Sequence, residues 1–191
     1  MQNYTVGQRI IASLFQSVTT RTAGFATIPQ QDLTNTSAII SVLLMLIGGS
    51  PVGTAGGMKT VTIAVLLVSM FATIANKEDA ELFGRNIPKQ AVNKSVAVVG
   101  MFFLIASLST ILLSAVTNAD VIDIVYETVS ATATVGLTRN LTSTLNLWGK
   151  VIVIVTMYLG RVGPISLVIA FSTQNKNKNI VKNPTEEISV G

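Results

Sequence analysis

Charged residues divide the chain into long stretches that carry none. No charge lies between Asp32 and Lys59, none within residues 60–76, and none within residues 95–119. A last apolar run, residues 151–171, is interrupted by Arg161 near its centre and by a Gly-Pro pair just after it. Runs this long and this apolar predict helices at membrane depth. Residues 33–48 and 60–75 would each form a helix about 24 Å long, short of the roughly 30 Å of bilayer hydrocarbon. The stretch between them, GGSPVGTAGGMKT from Gly48 to Thr60, carries glycines and Pro51 that break a continuous helix. At this point one interrupted crossing and two crossings joined as a hairpin are both open.

An internal repeat separates them. Thr20, Thr22, Gly24 and Phe25 of TRTAGF align with Thr132, Thr134, Gly136 and Leu137 of TATVGL at a constant offset of 112, and further on Gly48 aligns with Gly160 at the same offset. Each unit reads as a short amphipathic segment, a Thr/Gly loop and an apolar helix broken about two dozen residues later. If both Thr/Gly loops sit on one side of a bilayer, an even number of crossings separates them. Residues 95–119 supply one, so residues 33–75 must cross once, interrupted midway. The segments before the loops, residues 8–18 and 121–131, are too short to span and are expected to be re-entrant helices.

Composition agrees with a bilayer setting: 49% of residues are hydrophobic and 12% charged, against about 25% charged in a soluble domain. Cysteine and histidine are absent, which removes disulfides, thiolate and imidazole metal sites and His-activated nucleophiles, so the chain is not expected to be an enzyme. The net charge of +4 is scattered rather than clustered with aromatics, which argues against nucleic acid as a partner. Lys77, Arg85, Lys89 and Lys94 in one loop and Lys176, Lys178 and Lys182 in the tail face Arg9, Arg21, Arg139 and Lys150 on the other side. That bias places the loop, the tail and the C-terminus in the cytoplasm and the Thr/Gly loops outside. The stretch ending in Met58 and Lys59 lacks the glycine that precedes a phosphate-binding lysine, and no strand leads into it.

The Thr/Gly loops carry the candidate chemistry. A loop that alternates Thr with small residues and ends in Gly can aim successive carbonyls at one axis and replace the hydration shell of a K⁺-sized ion. Helix C-termini pointing at the same place add partial negative charge. On this reading Thr22, Ala23 and Gly24, with Thr134, Val135 and Gly136, contribute carbonyls around K⁺ at Gly24 and Gly136, and Thr20 and Thr132 line the inner entrance. A single such hexapeptide would read as an ordinary turn at a helix end; repetition at a fixed offset favours a cation selectivity filter. Asp120, Asp123 and Glu127 could gather cations at the outer mouth, but capping a short helix is the preferred role for Asp120. Arg161, a charge at membrane depth, reads as functional by default. The structural alternative is an Arg satisfied by hydroxyls such as Ser50 or Thr54.

Together TTRTAGF, GGSPVGTAGGMKT, TATVGL and GRVGP resemble the membrane subunit of the Ktr/Trk/HKT superfamily of cation transporters, nearest its bacterial KtrB-like branch, over nearly the whole chain. The resemblance implies four helix, pore-loop, helix repeats around one pore, each giving one filter glycine. Here only two are found, so Gly24 and Gly136 correspond to the third and fourth, and the chain corresponds to the C-terminal half of a longer polypeptide. It further implies that Gly49, Ser50, Gly53, Thr54, Gly56, Gly57 and Lys59 form an intramembrane gating loop below the filter, with Arg161 raising the barrier to cations until the gate rearranges; for Lys59, snorkelling toward the cytoplasmic interface is an equal alternative to touching the gate. The implied partners are a second copy of the subunit, forming a homodimer, a cytosolic nucleotide-binding regulatory ring, and the lipid bilayer. The ending NPTEEISVG resembles the family's C-terminus, which implies that the natural end is present.

The expected fold is an all-α membrane protein with two consecutive helix, pore-loop, helix repeats, the first lacking its initial helix, with re-entrant pore helices and a broken transmembrane helix. Residues 1–75 would form the third pore repeat, 76–94 a cytoplasmic connector, 95–173 the fourth repeat and 174–191 a cytoplasmic tail. The expected function is the pore-forming part of a potassium uptake system in the plasma membrane, crossing it several times, with no cofactor other than K⁺ as transported ion and a dependence on Na⁺ left open. A parallel-repeat carrier for Na⁺ or K⁺ and a structural membrane subunit are the alternatives.

Overall fold

A computed structural model of the chain describes residues 4–50, 56–77 and 79–163. Among these, helix α1 spans Val6–Thr19, α2 Asn35–Leu46, α3 Thr60–Ile74, α4 Lys89–Val116, α5 Val121–Thr132, α6 Leu141–Thr144 and α7 Leu147–Val162. A short antiparallel hairpin, β1 Glu81–Leu82 with β2 Arg85–Asn86, joins α3 to α4. The helices begin where the chain offers caps. Thr5 and Gln8 form a reciprocal capping box at α1, Thr34 accepts the Ser37 amide at α2, and Asn146 accepts the Gly149 amide at α7.

Helix α4, 28 residues and about 42 Å long, is long and apolar enough to cross a bilayer. It starts at Lys89, six residues before the apolar run and inside the expected connector, because Pro88 permits a helix start and Lys89, Gln90 and Lys94 are good helix formers. Helices α2 and α3, 12 and 15 residues, are each short of a span. Between them Ile47 and Met58 form a parallel bridge, with Gly48 N donating to Met58 O at 2.8 Å. The backbone passes through Ile47 and Met58 in the same sense. α2 packs chiefly on α5 and α3 on α4 rather than on each other. The arms of a tight hairpin would pair antiparallel at this point.

The centre of the fold is α5, which α2, α4 and α7 surround. One apolar cluster joins Met45, Met58, Phe102, Tyr126, Ala133 and Val135; a second joins Leu113, Ile124, Ala131, Leu145 and Val153. Hydroxyls tie the packed faces: Ser109 of α4 bonds Thr156 of α7 at 2.7 Å and Thr110 of α4 bonds Thr128 of α5 at 2.8 Å. Ile40, Leu67, Phe103, Leu108 and Ile154 face outward, as lipid contact would have it. Helix α7 runs to Val162 with Gly163 at φ 82° after it, so Arg161 lies in the last turn of this helix, and the remainder of the apolar run 151–171 falls outside the described residues. The expected tail, 174–191, falls outside the described residues.

Candidate ion-coordination site

The two Thr/Gly turns share left-handed residues at equivalent positions. Thr22 and Thr134 sit at φ 64° and 57°, and Gly24 and Gly136 at φ 74° and 86°, while Ala23 and Val135 between them stay at negative φ. A left-handed conformation at every second residue is uncommon for a β-branched side chain, and here it recurs at the offset of 112 read from the sequence.

Each turn is closed onto the helix before it. Thr19 O accepts the amides of Ala23 and Gly24 at 3.1 Å, and Thr19 Oγ1 donates to Phe25 O at 2.6 Å. In the second turn Ser130 O accepts the Val135 amide at 2.9 Å. Thr20 and Thr132, both buried, spend their hydroxyls on Ser17 O and Thr128 O one turn back, each at 2.7 Å. The turns also meet one another. A Cβ added to Gly24 would lie 2.2 Å from the Val135 carbonyl oxygen, whereas one added to Gly136 has no described atom within 4 Å. Gly24 is therefore glycine for two reasons, its φ and the neighbouring turn.

Of the expected gate residues, Gly56 and Gly57 lie against the second turn. A Cβ on Gly56 would strike the Thr134 side chain at 2.0 Å, and one on Gly57, at φ 70°, would lie 3.5 Å from the Ala133 Cβ. Gly160 abuts the Thr132 carbonyl oxygen so closely that a Cβ there would lie at 2.2 Å, and Arg161, the next residue, is exposed. Gly49 O accepts the Thr60 amide at 3.3 Å, Ser50 is exposed, and Lys59 is the N-cap residue of α3. Arg21, which the sequence does not single out, reaches from the first turn to Ile47 O at 3.0 Å. Gly53 and Thr54 lie outside the described residues.

The acidic residues near the second turn are held by neighbours. Asp120 is the N-cap residue of α5 but makes no side-chain capping bond. Asp123 pairs with Arg139 Nε at 2.6 Å. Buried Glu127 accepts from the hydroxyls of Thr138, at 2.6 Å, and Thr142. Among the described residues no group of three or more His, Cys, Asp and Glu is placed to hold a metal ion.

Comparison with known proteins gives one consistent picture. The family described as TrkH, cation transport protein, matches residues 1–182. The potassium/sodium uptake protein NtpJ of Enterococcus hirae is 36% identical over 98% of this chain and 43% of its own length. The Ktr system potassium uptake protein B of Vibrio alginolyticus is 34% identical over the whole chain and 42% of its own length, and that of Bacillus subtilis 36% over 96% and 41%. The chain thus spans about two fifths of the length of these curated relatives. The crystal structure of the potassium transporter TrkH from Vibrio parahaemolyticus superposes with a TM-score of 0.71 over 90% of this chain and 39% of its own, at 20% identity, a likeness of fold.

Proposed function

We propose, because this chain belongs to the TrkH family of cation transport proteins, that it forms part of a potassium uptake pore in which its two Thr/Gly turns are two walls of a selectivity filter. The family is one of membrane cation transporters, not enzymes. The observation that carries the reading is the pair of turns with matching left-handed residues, abutting at Gly24 and Val135. The carbonyls of Thr22, Ala23, Gly24, Thr134, Val135 and Gly136 would replace water around K⁺, with Thr20 and Thr132 at the inner entrance. Backbone at membrane depth must be enclosed or wetted, since each unsatisfied group costs several kcal/mol, so two turns alone do not make a conduit. The curated relatives are more than twice as long as the part matched here, enough for two more repeats.

The finer assignments belong to the same proposal. Residues 1–75 and 95–173 are two pore repeats, the first lacking its initial helix, joined by a cytoplasmic connector, and α2 and α3 together form one interrupted crossing. Gly49, Ser50, Gly53, Thr54, Gly56, Gly57 and Lys59 with Arg161 form a gate beneath the filter. The closeness of Gly56 to Thr134 and of Gly160 to Thr132 supports this. The subunit would pair with a second copy and rest on a cytosolic nucleotide-binding ring, with its C-terminus in the cytoplasm. Na⁺ dependence is part of the proposal as a property to be measured.

The test is Gly136→Ser in the transporter expressed from its full coding sequence, with K⁺ and Na⁺ uptake measured into vesicles. A filter predicts a lower preference for K⁺ over Na⁺, because a Cβ at φ 86° forces the local backbone to move. An unchanged preference in a folded variant would leave a carrier or a structural subunit as the better reading.

A further inference from the structure

A chain of side-chain hydrogen bonds joins the two repeats outside the turns. The Gln30 amide sits between the two short helices: it exchanges bonds with Gln16 of α1 at 2.6 and 3.2 Å and accepts from the Tyr126 hydroxyl of α5 at 2.9 Å. Arg139, in the segment after the second turn, donates through Nη1 to the carbonyls of Gln30 and Leu33 at 3.2 and 3.1 Å while Nε holds Asp123 of α5. Gln30 and Tyr126 are buried, and the Arg139 side chain is 9% exposed. One guanidinium fork therefore grips the chain leaving the first turn and the helix entering the second.

The repeat itself tells what this grip is for. At the offset of 112 the first repeat places Leu14 where Tyr126 stands, Ile11 where Asp123 stands and Thr27 where Arg139 stands. Leu14 and Ile11 carry no polar group, and Thr27 is exposed, with one hydroxyl on a short stem in place of a charged fork. These three cannot reproduce the grip, yet the first turn has the same left-handed residues as the second. The grip is thus not what shapes a turn. What it fixes is the position of one turn against the other.

Resting on the filter reading above, we propose that Arg139 and Tyr126 act as positioning residues that set the spacing between the two turns, by clipping Gln30 and Leu33 to α5, and thereby tune which cation the turns accept. Neither side chain touches the ion. Discrimination between ions of different radius by carbonyl dipoles depends on how far apart the oxygens stand and how readily they move. A tie of charge-assisted and buried hydrogen bonds limits both.

The test uses the transporter expressed from its full coding sequence, purified and reconstituted, with the ratio of K⁺ to Na⁺ uptake as readout because the ratio does not depend on how much protein folds. Tyr126→Phe removes one hydroxyl and keeps the ring; Arg139→Gln removes the fork; Arg139→Lys keeps the charge opposite Asp123 but not the planar grip. Tyr126→Phe and Arg139→Gln should each lower the ratio by about threefold to tenfold, and Arg139→Lys should restore part of it. Uptake that falls with an unchanged ratio would mean that these residues only stabilise the fold, and would overturn the proposal. Gly136→Ser separates the two failures. If it shifts the ratio and the clip variants do not, the clip is wrong and the filter stands; if none of them shifts it, the filter reading fails and takes the clip with it. Should Arg139→Gln not fold, Tyr126→Phe decides by the same criterion.

Discussion

Helices α1 and α5 lead into turns with left-handed residues at the same positions, and their surroundings could hardly differ more. Every residue of α5 from Tyr126 to Thr132 is buried, under α2, α4 and α7. Along α1 the apolar residues Val6, Ile10, Ile11, Leu14 and Val18 are all exposed, Ile11 at 69%. The conformation of a Thr/Gly turn is therefore a local property, written in its glycine, its threonines and the carbonyls of the preceding helix turn. Enclosure is a separate property that neighbouring helices supply. An exposed α1 leaves the first turn intact in shape but supported on one side by the second turn and by Gln30.

The comparison breaks most visibly at equivalent core positions. Tyr126 and Leu14 share a place in the repeat, and in the 191-residue chain Tyr126→Ala should cost about 3–5 kcal/mol while Leu14→Ala should stay within about 0.5 kcal/mol. Thermal unfolding of the detergent-solubilised protein measures both. Equal costs would mean that α1 is packed in solution after all. A Leu14→Ala cost that rises only when the chain is assembled with further pore walls would measure how much of α1 they cover.

Glycine sharpens the comparison at the turns. An Ala at either position must bear a positive φ, about 1–2 kcal/mol, but at Gly24 its Cβ also meets the Val135 carbonyl at 2.2 Å. Backbone has to move there, adding about 1–3 kcal/mol by the usual cost of overpacking. Gly24→Ala should therefore destabilise the purified protein more than Gly136→Ala. The reverse order would show that the turns do not abut at that point.

Much of this architecture is legible in the sequence because it follows from local chemistry. Charge-free runs mark α2, α3 and most of α4; the offset of 112 finds both turns; the glycines and Pro51 between Gly48 and Thr60 announce that α2 ends and α3 starts anew. What the sequence hides depends on contacts between distant residues. Arg139 and Gln30 are 109 positions apart, and nothing in LTRN or PQQD announces that one will hold the other. The burial of α5 is hidden because three other helices create it, and α5 carries Asp123 and Glu127, which look solvated until Arg139, Thr138 and Thr142 are seen around them. Asp120 takes the expected position at the start of α5 without the expected bond, since a residue's place in a cap is set by spacing and its hydrogen bond by rotamer. Arg161 reads as mid-helix because apolar residues continue past it; α7 runs to Val162, with Arg161 in its last turn.

The smallest expected effect concerns the hydroxyls that fasten α5. Thr128 bonds Thr110 of α4 at 2.8 Å, and its repeat partner on α1, Gln16, reaches only to Gln30. Thr128→Val keeps the shape and removes the bond, leaving Thr110 its own backbone acceptor at Ala106 O, 2.8 Å away. No buried group is orphaned, so the loss should be near the average for interhelical hydrogen bonds in membranes, about 0.6 kcal/mol and at most about 1.7 kcal/mol. The same substitution should leave the preference between K⁺ and Na⁺ unchanged, because Thr128 joins α5 to α4 within the second repeat and no bond of Thr128 crosses to the first. A shift in preference as large as that expected for Tyr126→Phe would mean that any loosening of α5 disturbs the turns. The distinction between fastening a helix and spacing the two turns would then have to be given up.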